Sequence, residues 1–174
     1  MALYGTTFAN QLVSAVDHAV LQARLLSDGI LDGMAMTASG SALTIAPGHM
    51  IAAGRVIGND AALAVAVAAT SGYARVTLVI DLSGTATAET FNQLSIRVDT
   101  ADSPASFPAL VQEDINDGVH TTYEAALAVL ALNASGIASV ESAMGRAALS
   151  IKYGTAAPTA ADIAPGAIYL QLEV

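Results

Sequence analysis

Two periodicities divide the chain. From Phe8 to Leu26 there is no Gly or Pro, and Phe8, Leu12, Val16, Ala19, Ala23 and Leu26 recur at spacings of three and four. That spacing lays one apolar stripe along a helix of about five turns, predicted over Thr7 to Leu26 with Thr6-Thr7 as its cap and Asp28-Gly29 as its end. The pattern then changes to pairs and alternations: Ile30-Leu31, Met34 and Met36, Leu43 and Ile45, Met50-Ile51, Val56-Ile57. Gly29, Gly33, Gly40, Pro47-Gly48, Gly54 and Gly58-Asn59-Asp60 stand between them as turn punctuation. Short strands follow from this, each with one face toward a core.

The alternation continues. Leu63, Val65 and Val67 share a face, and Tyr73 to Leu82 is the strongest strand signal, with Val76, Leu78, Ile80 and Leu82 inward and Arg75, Thr77 and Asp81 opposite. Leu94, Ile96 and Val98 predict the next strand. Phe107-Pro108 suggests a short helical turn through Val111 to Ile115, Pro being favoured at the first helical position. Tyr123 to Leu132 and Ile137 to Val140 return as strands across a turn at Asn133 to Gly136. The tail from Tyr153 has no periodicity until Ile168, Leu170 and Leu172 alternate, a terminal strand that needs a sheet to join, its own or a neighbour's. The expected fold is mainly β: an antiparallel β-sandwich of short strands with an N-terminal helix and a C-terminal strand extension. Its expected divisions are 1–27, 28–140 and 141–174.

Composition narrows the partners. With 54% apolar residues but only 5% aromatic and no Trp, the core must be built of Ala, Val, Leu and Ile. The 15 acidic against 6 basic residues give a formal charge of -9, which repels phosphate backbones and anionic lipid, so no nucleic acid is expected. The mean hydropathy is +0.57, yet no uninterrupted apolar run reaches membrane-spanning length, so no membrane insertion is expected. The first residues lack a basic segment followed by an apolar one, and no signal peptide is expected. Zero cysteines remove disulfides, thiol catalysis and thiolate metal sites.

Candidate chemistry is thin. His18, His49 and His120 have no ligand-spaced companions that would make a metal site. No Gly-x-Ser-x-Gly elbow and no phosphate-cradling Gly-rich loop is present. Glu113, Asp114, Asn116 and Asp117 before Gly118 are the densest oxygen cluster, but their spacing lacks the alternate-position pattern of a calcium loop. Glu89, Asp99 and Asp102 offer a carboxylate pair for glycoside hydrolysis only on paper, with few rings to stack on sugars. No enzyme activity, cofactor or metal is expected.

The stretch Asp28 to Asp60 resembles a module at the amino-terminal end of baseplate, tail-tip and tail-fibre attachment proteins of tailed bacteriophages. The likeness rests on Ile30 to Gly33, the Ser39 to Ser41 turn, Leu43 to Gly48, Gly54 to Ile57 and Asn59-Asp60. Arg75 to Asp81 resembles that module's central strand, and Tyr123 to Ala131 with Gly136-Ile137 its closing strand and turn. The tail, with Pro165-Gly166 before Ile168 and Tyr169, is also similar to the ends of phage tail proteins. The resemblance covers about residues 28 to 140 and implies a virion structural protein of the phage tail, assembled in the host cytoplasm and holding other tail proteins. It also implies rings, since tail tips are built on three-fold or six-fold axes, so a homotrimer is expected. Two roles for the helix stay open: packing on its own β-domain, or packing with copies of itself through Leu12, Val16, Ala19, Ala23 and Leu26. Ile168, Tyr169, Leu170 and Leu172 are the expected partner strand. The alternative function is a glycan-binding sandwich recognising the host surface.

Overall fold

A computed structural model describes residues 14–85 and 92–148, together with the backbone of two strands at 150–154 and 167–171. Twelve strands and one α-helix are found among the described residues. Helix α1 (Ala15–Leu25) is capped by Ser14, whose Oγ accepts from Asp17 N. The expected start at Thr7 and its Thr6-Thr7 cap lie outside the described residues, as does Leu12. The helix ends at Leu25, with Leu26 as its cap, three residues before the expected stop at Asp28.

Strands β1 (Gly29–Gly33), β2 (Met36–Ser39), β3 (Ala42–Ile45), β4 (Gly48–Ala52), β5 (Arg55–Asn59) and β6 (Leu63–Ala66) are short, as the Gly spacing predicts. They form two three-stranded antiparallel sheets, in order β1-β4-β5 and β2-β3-β6. Strands β7 (Gly72–Asp81), β8 (Leu94–Ala101), β9 (Thr122–Asn133) and β10 (Gly136–Ser142) make a longer antiparallel sheet ordered β10-β9-β7-β8. One core joins the three sheets, with Leu43, Ile45, Met50, Val76, Leu127 and Leu130 at its centre. This is the expected sandwich-like, mainly β arrangement.

Strand β7 is covered on both faces. Ala74, Val76, Leu78 and Ile80 face the core, while Arg75 and Thr77, on the opposite face, are buried too. The cover over that second face is the segment between β8 and β9. It holds one 3-10 turn, Pro104–Ser106, and then continues without a helix through the bridge at Gln112. The helical turn expected from Pro108 to Ile115 is therefore corrected: Pro104, not Pro108, opens the helical turn. Val111 uses its carbonyl on Glu124 N (2.7 Å) and Gln112 bridges Tyr123, so the sheet takes the backbone groups a helix would have needed.

The β4–β5 turn positions the helix. Ala53 and Gly54 both have positive φ, 49° and 74°, the two-residue turn that matches strand twist. Ala53 is strained there. Its N–H donates to Asp28 Oδ1 (2.9 Å) and its carbonyl accepts from Asn116 Nδ2 (3.0 Å), which holds the turn in place. A Cβ on Gly54 would run into the Ala19 carbonyl and the Ala23 Cβ, so only glycine lets α1 sit this close.

Strands β11 (Ser150–Gly154) and β12 (Ala167–Gln171) pair in parallel, Ile151 opposite Ile168 and Tyr153 opposite Leu170. The terminal strand thus finds a partner inside its own chain, in a strand the sequence pattern did not reveal. Leu172 lies outside the described residues.

Candidate functional site

The polar groups singled out in the sequence are spent locally. His18, His49 and His120 are exposed. His49 Nδ1 lies 3.0 Å from Asp32 Oδ1, and that hydrogen bond holds the Asp32 carboxyl below its usual range. Asp117 accepts from the backbone N–H of His120 and of Val119, and its side chain meets the His120 ring at 2.6 Å. These bonds lower Asp117 to about 2, and the Asp117 carboxylate raises His120. Asp114 Oδ1 accepts from Asn116 N, while Asn116 itself reaches Arg55 and Ala53. The oxygen cluster at 113–117 therefore builds a turn and ties it to the β4–β5 hairpin. No group of three His, Cys, Asp or Glu in metal-holding reach occurs among the described residues. Glu89 lies outside them.

The sequence reading missed an ionic cluster on the outer face of the long sheet. Arg75 Nη2 donates to Asp99 Oδ2 (3.0 Å), its cross-strand partner. Arg97 donates through Nε to Asp99 Oδ1 (2.9 Å) and through Nη1 and Nη2 to the Glu124 carboxylate. Val111 N donates to Glu124 Oε2 (3.1 Å), and the Phe107 ring lies 5.1 Å from the Arg75 guanidinium carbon. Hydrogen bonds from Arg97 lower the Glu124 carboxyl. Burial works to raise Asp99, but Arg97 and Arg75 outweigh it and the net shift is downward. Two cations and two anions cancel, so the cluster is charge-balanced, with Arg75 Nε left as a buried donor that has no partner. Its signal was present in the sequence: Arg75, Arg97, Asp99 and Glu124 interrupt the apolar positions of β7, β8 and β9.

Two apolar surfaces remain. The first is a cleft of about 340 Å³ between the edges of β5 and β8. Met34, Ile45, Met50, Ile57, Leu78 and Leu127 line its depth, and Leu63, Leu94 and Ile96 stand nearer its mouth. Its size is at the small end of ligand pockets.

The second surface is the outer side of α1. Ala19 is buried against the β4–β5 hairpin, with Ala23 beside it. Ile51, fully buried yet outside the main core, lies opposite Val56 in the sheet, so both side chains project from the face that the helix covers. Val16 at the edge of that contact, and Val20, Leu21 and Leu25 beyond it, are 44%, 40%, 59% and 42% exposed, and Val56 is 52% exposed. The expected interface stripe is thus divided. Ala19 and Ala23 are occupied within the chain, Leu26 is half-buried, and of the described stripe residues only Val16, at its edge, is exposed, where Val20, Leu21 and Leu25 join it unforeseen.

Searches of protein-family models and of curated proteins found no match to the chain.

Proposed function

We propose that this chain is a non-enzymatic structural protein of a bacteriophage tail, a baseplate, tail-tip or fibre-attachment component that assembles with itself and holds neighbouring tail proteins. The observation that supports assembly is the outer side of α1. Four large apolar side chains stand in solvent on a helix of eleven residues that is already docked on its own sheet. Such grouped exposure marks a contact surface. The phage assignment itself draws on the resemblance of residues 28 to 140, with its turn spacing and its alternating strands.

Two measurements test the reading. Antibodies against the purified chain are expected to decorate the tails of the phage particles that carry it, seen by electron microscopy. Decoration of heads alone, or of no particle, contradicts the virion role. A glycan array is expected to give no specific binding, and a saturable hit would favour direct host recognition instead.

A further inference from the structure

The outward side of α1 has an internal symmetry. Val16 and Val20 are four residues apart on one flank, Leu21 and Leu25 are four apart on the other, and Asp17 and Arg24 lie seven apart between them. Around a point midway between Val20 and Leu21, each group has its complement at equal distance: Val20 with Leu21, Asp17 with Arg24, Val16 with Leu25. A sequence of that kind matches a reversed copy of itself.

We propose that this face recognises the same face of a second copy of the chain, the two α1 helices lying antiparallel about a two-fold axis that passes between Val20 and Leu21. This rests on the reading of the chain as self-assembling and names the geometry of one contact. An isologous interface requires self-complementarity, in which residue i meets j and j meets i. Charge decides the direction. Antiparallel helices bring Asp17 level with the partner's Arg24 twice over, whereas parallel helices about a three-fold axis bring like charges level with like. The recognition depends on the sign of the Asp17 charge, and Asp17 also interacts within its own chain. Apolar side chains flank the charges on both sides, and Val56, projecting from the helix-covered face of the sheet, adds apolar area.

The absence of cysteine makes the test direct. In the antiparallel pair Asp17 lies level with the partner's Arg24 and faces it, while the two Asp17 residues are seven helical positions apart, about 10.5 Å along the axis. A disulfide needs Cα atoms within about 7 Å. Under mild oxidation D17C alone and R24C alone are expected to stay uncrosslinked, and an equimolar mixture, in which each mixed pair keeps one Asp17–Arg24 contact, is expected to give a D17C–R24C dimer at least about tenfold faster. D17C crosslinking to itself as fast as in the mixture would overturn the antiparallel geometry while leaving self-assembly intact. No crosslink in any sample, together with a monomeric mass, would overturn both. Charge reversal adds a second arm: D17R and R24D are each expected to weaken pairing about tenfold, and the double variant D17R/R24D to recover it. A double variant as weak as the sum of the singles would also overturn the proposal.

Discussion

Two sheets of this protein are covered from outside by different means, and the difference separates a finished surface from an unfinished one. The long sheet carries Arg75, Arg97, Asp99 and Glu124 on its outer face, and the segment from Pro104 to Ile115 closes over them with Phe107 and the Val111 backbone. Every charge there has an opposite charge in reach. The sheet β1-β4-β5 is covered by α1, which touches it through small residues, Ala19 and Ala23 over Gly54. The helix then presents Val16, Val20, Leu21 and Leu25 to solvent. One cover ends in paired charges; the other ends in apolar groups that burial would stabilise further.

The largest expected effect comes from opening the ionic cluster. Glu124→Ala leaves Arg97 facing only Asp99 and strands Val111 N; Glu124 is buried but Arg97 is 39% exposed, so the loss is expected at about 3 kcal/mol, the low end for a broken buried pair. Urea denaturation measures it, and a loss below about 1 kcal/mol would mean that solvent already screens the cluster. The same carboxylates set the acid limit. Because the folded values of Glu124 and Asp99 lie below their unfolded ones, their stabilisation is fully present above the unfolded range near pH 4 and is lost as pH falls through the lowered values. Glu124→Gln is therefore expected to flatten the fall in stability between about pH 5 and pH 2. A variant curve parallel to wild type would assign the acid sensitivity elsewhere.

The helix side is expected to break more cheaply. Gly54→Val places a branched side chain at a φ of 74° and against Ala19, a cost of about 2–3 kcal/mol from strain and lost docking. Hydrogen exchange is expected to show 15–25 losing protection while β7 and β9 keep theirs. Uniform loss throughout would show that the helix and the sandwich unfold as one unit. A smaller effect of opposite sign is expected at Thr77, whose hydroxyl is buried without a partner. Thr77→Val keeps the shape and removes the unpaired oxygen, so the melting midpoint is expected to rise, by about 1 kcal/mol of stability. A fall would mean that the hydroxyl is hydrogen-bonded in solution.

These regions differ in how far they could be read from the sequence. Strands β3, β7, β8 and β9 were legible because Leu43/Ile45, Val76/Leu78/Ile80, Leu94/Ile96/Val98 and the Tyr123 to Leu132 run carry their period locally. The course of 107–115 was not, because Val111 and Gln112 take their backbone partners from β9, a choice made by tertiary contact. The helix was legible as a helix. Its orientation was not, since Ala19 and Ala23 form an equally good stripe for a partner helix or for Gly54, and only the close approach allowed at Gly54 decides. Strand β11 escaped because Ser150 to Gly154 is five residues without a repeating pattern.

The measurement that bears most directly on the unfinished helix face is sedimentation equilibrium of wild type beside Leu21→Asp. Leu21 is the most exposed of the four helix side chains, so the substitution is expected to change folding stability by less than about 0.5 kcal/mol. Assembly through this face predicts that wild type self-associates at micromolar concentration, and that the variant is monomeric with an unchanged melting curve. A wild-type protein that stays monomeric at the highest concentration reached, or a variant that associates as strongly as wild type, would contradict it.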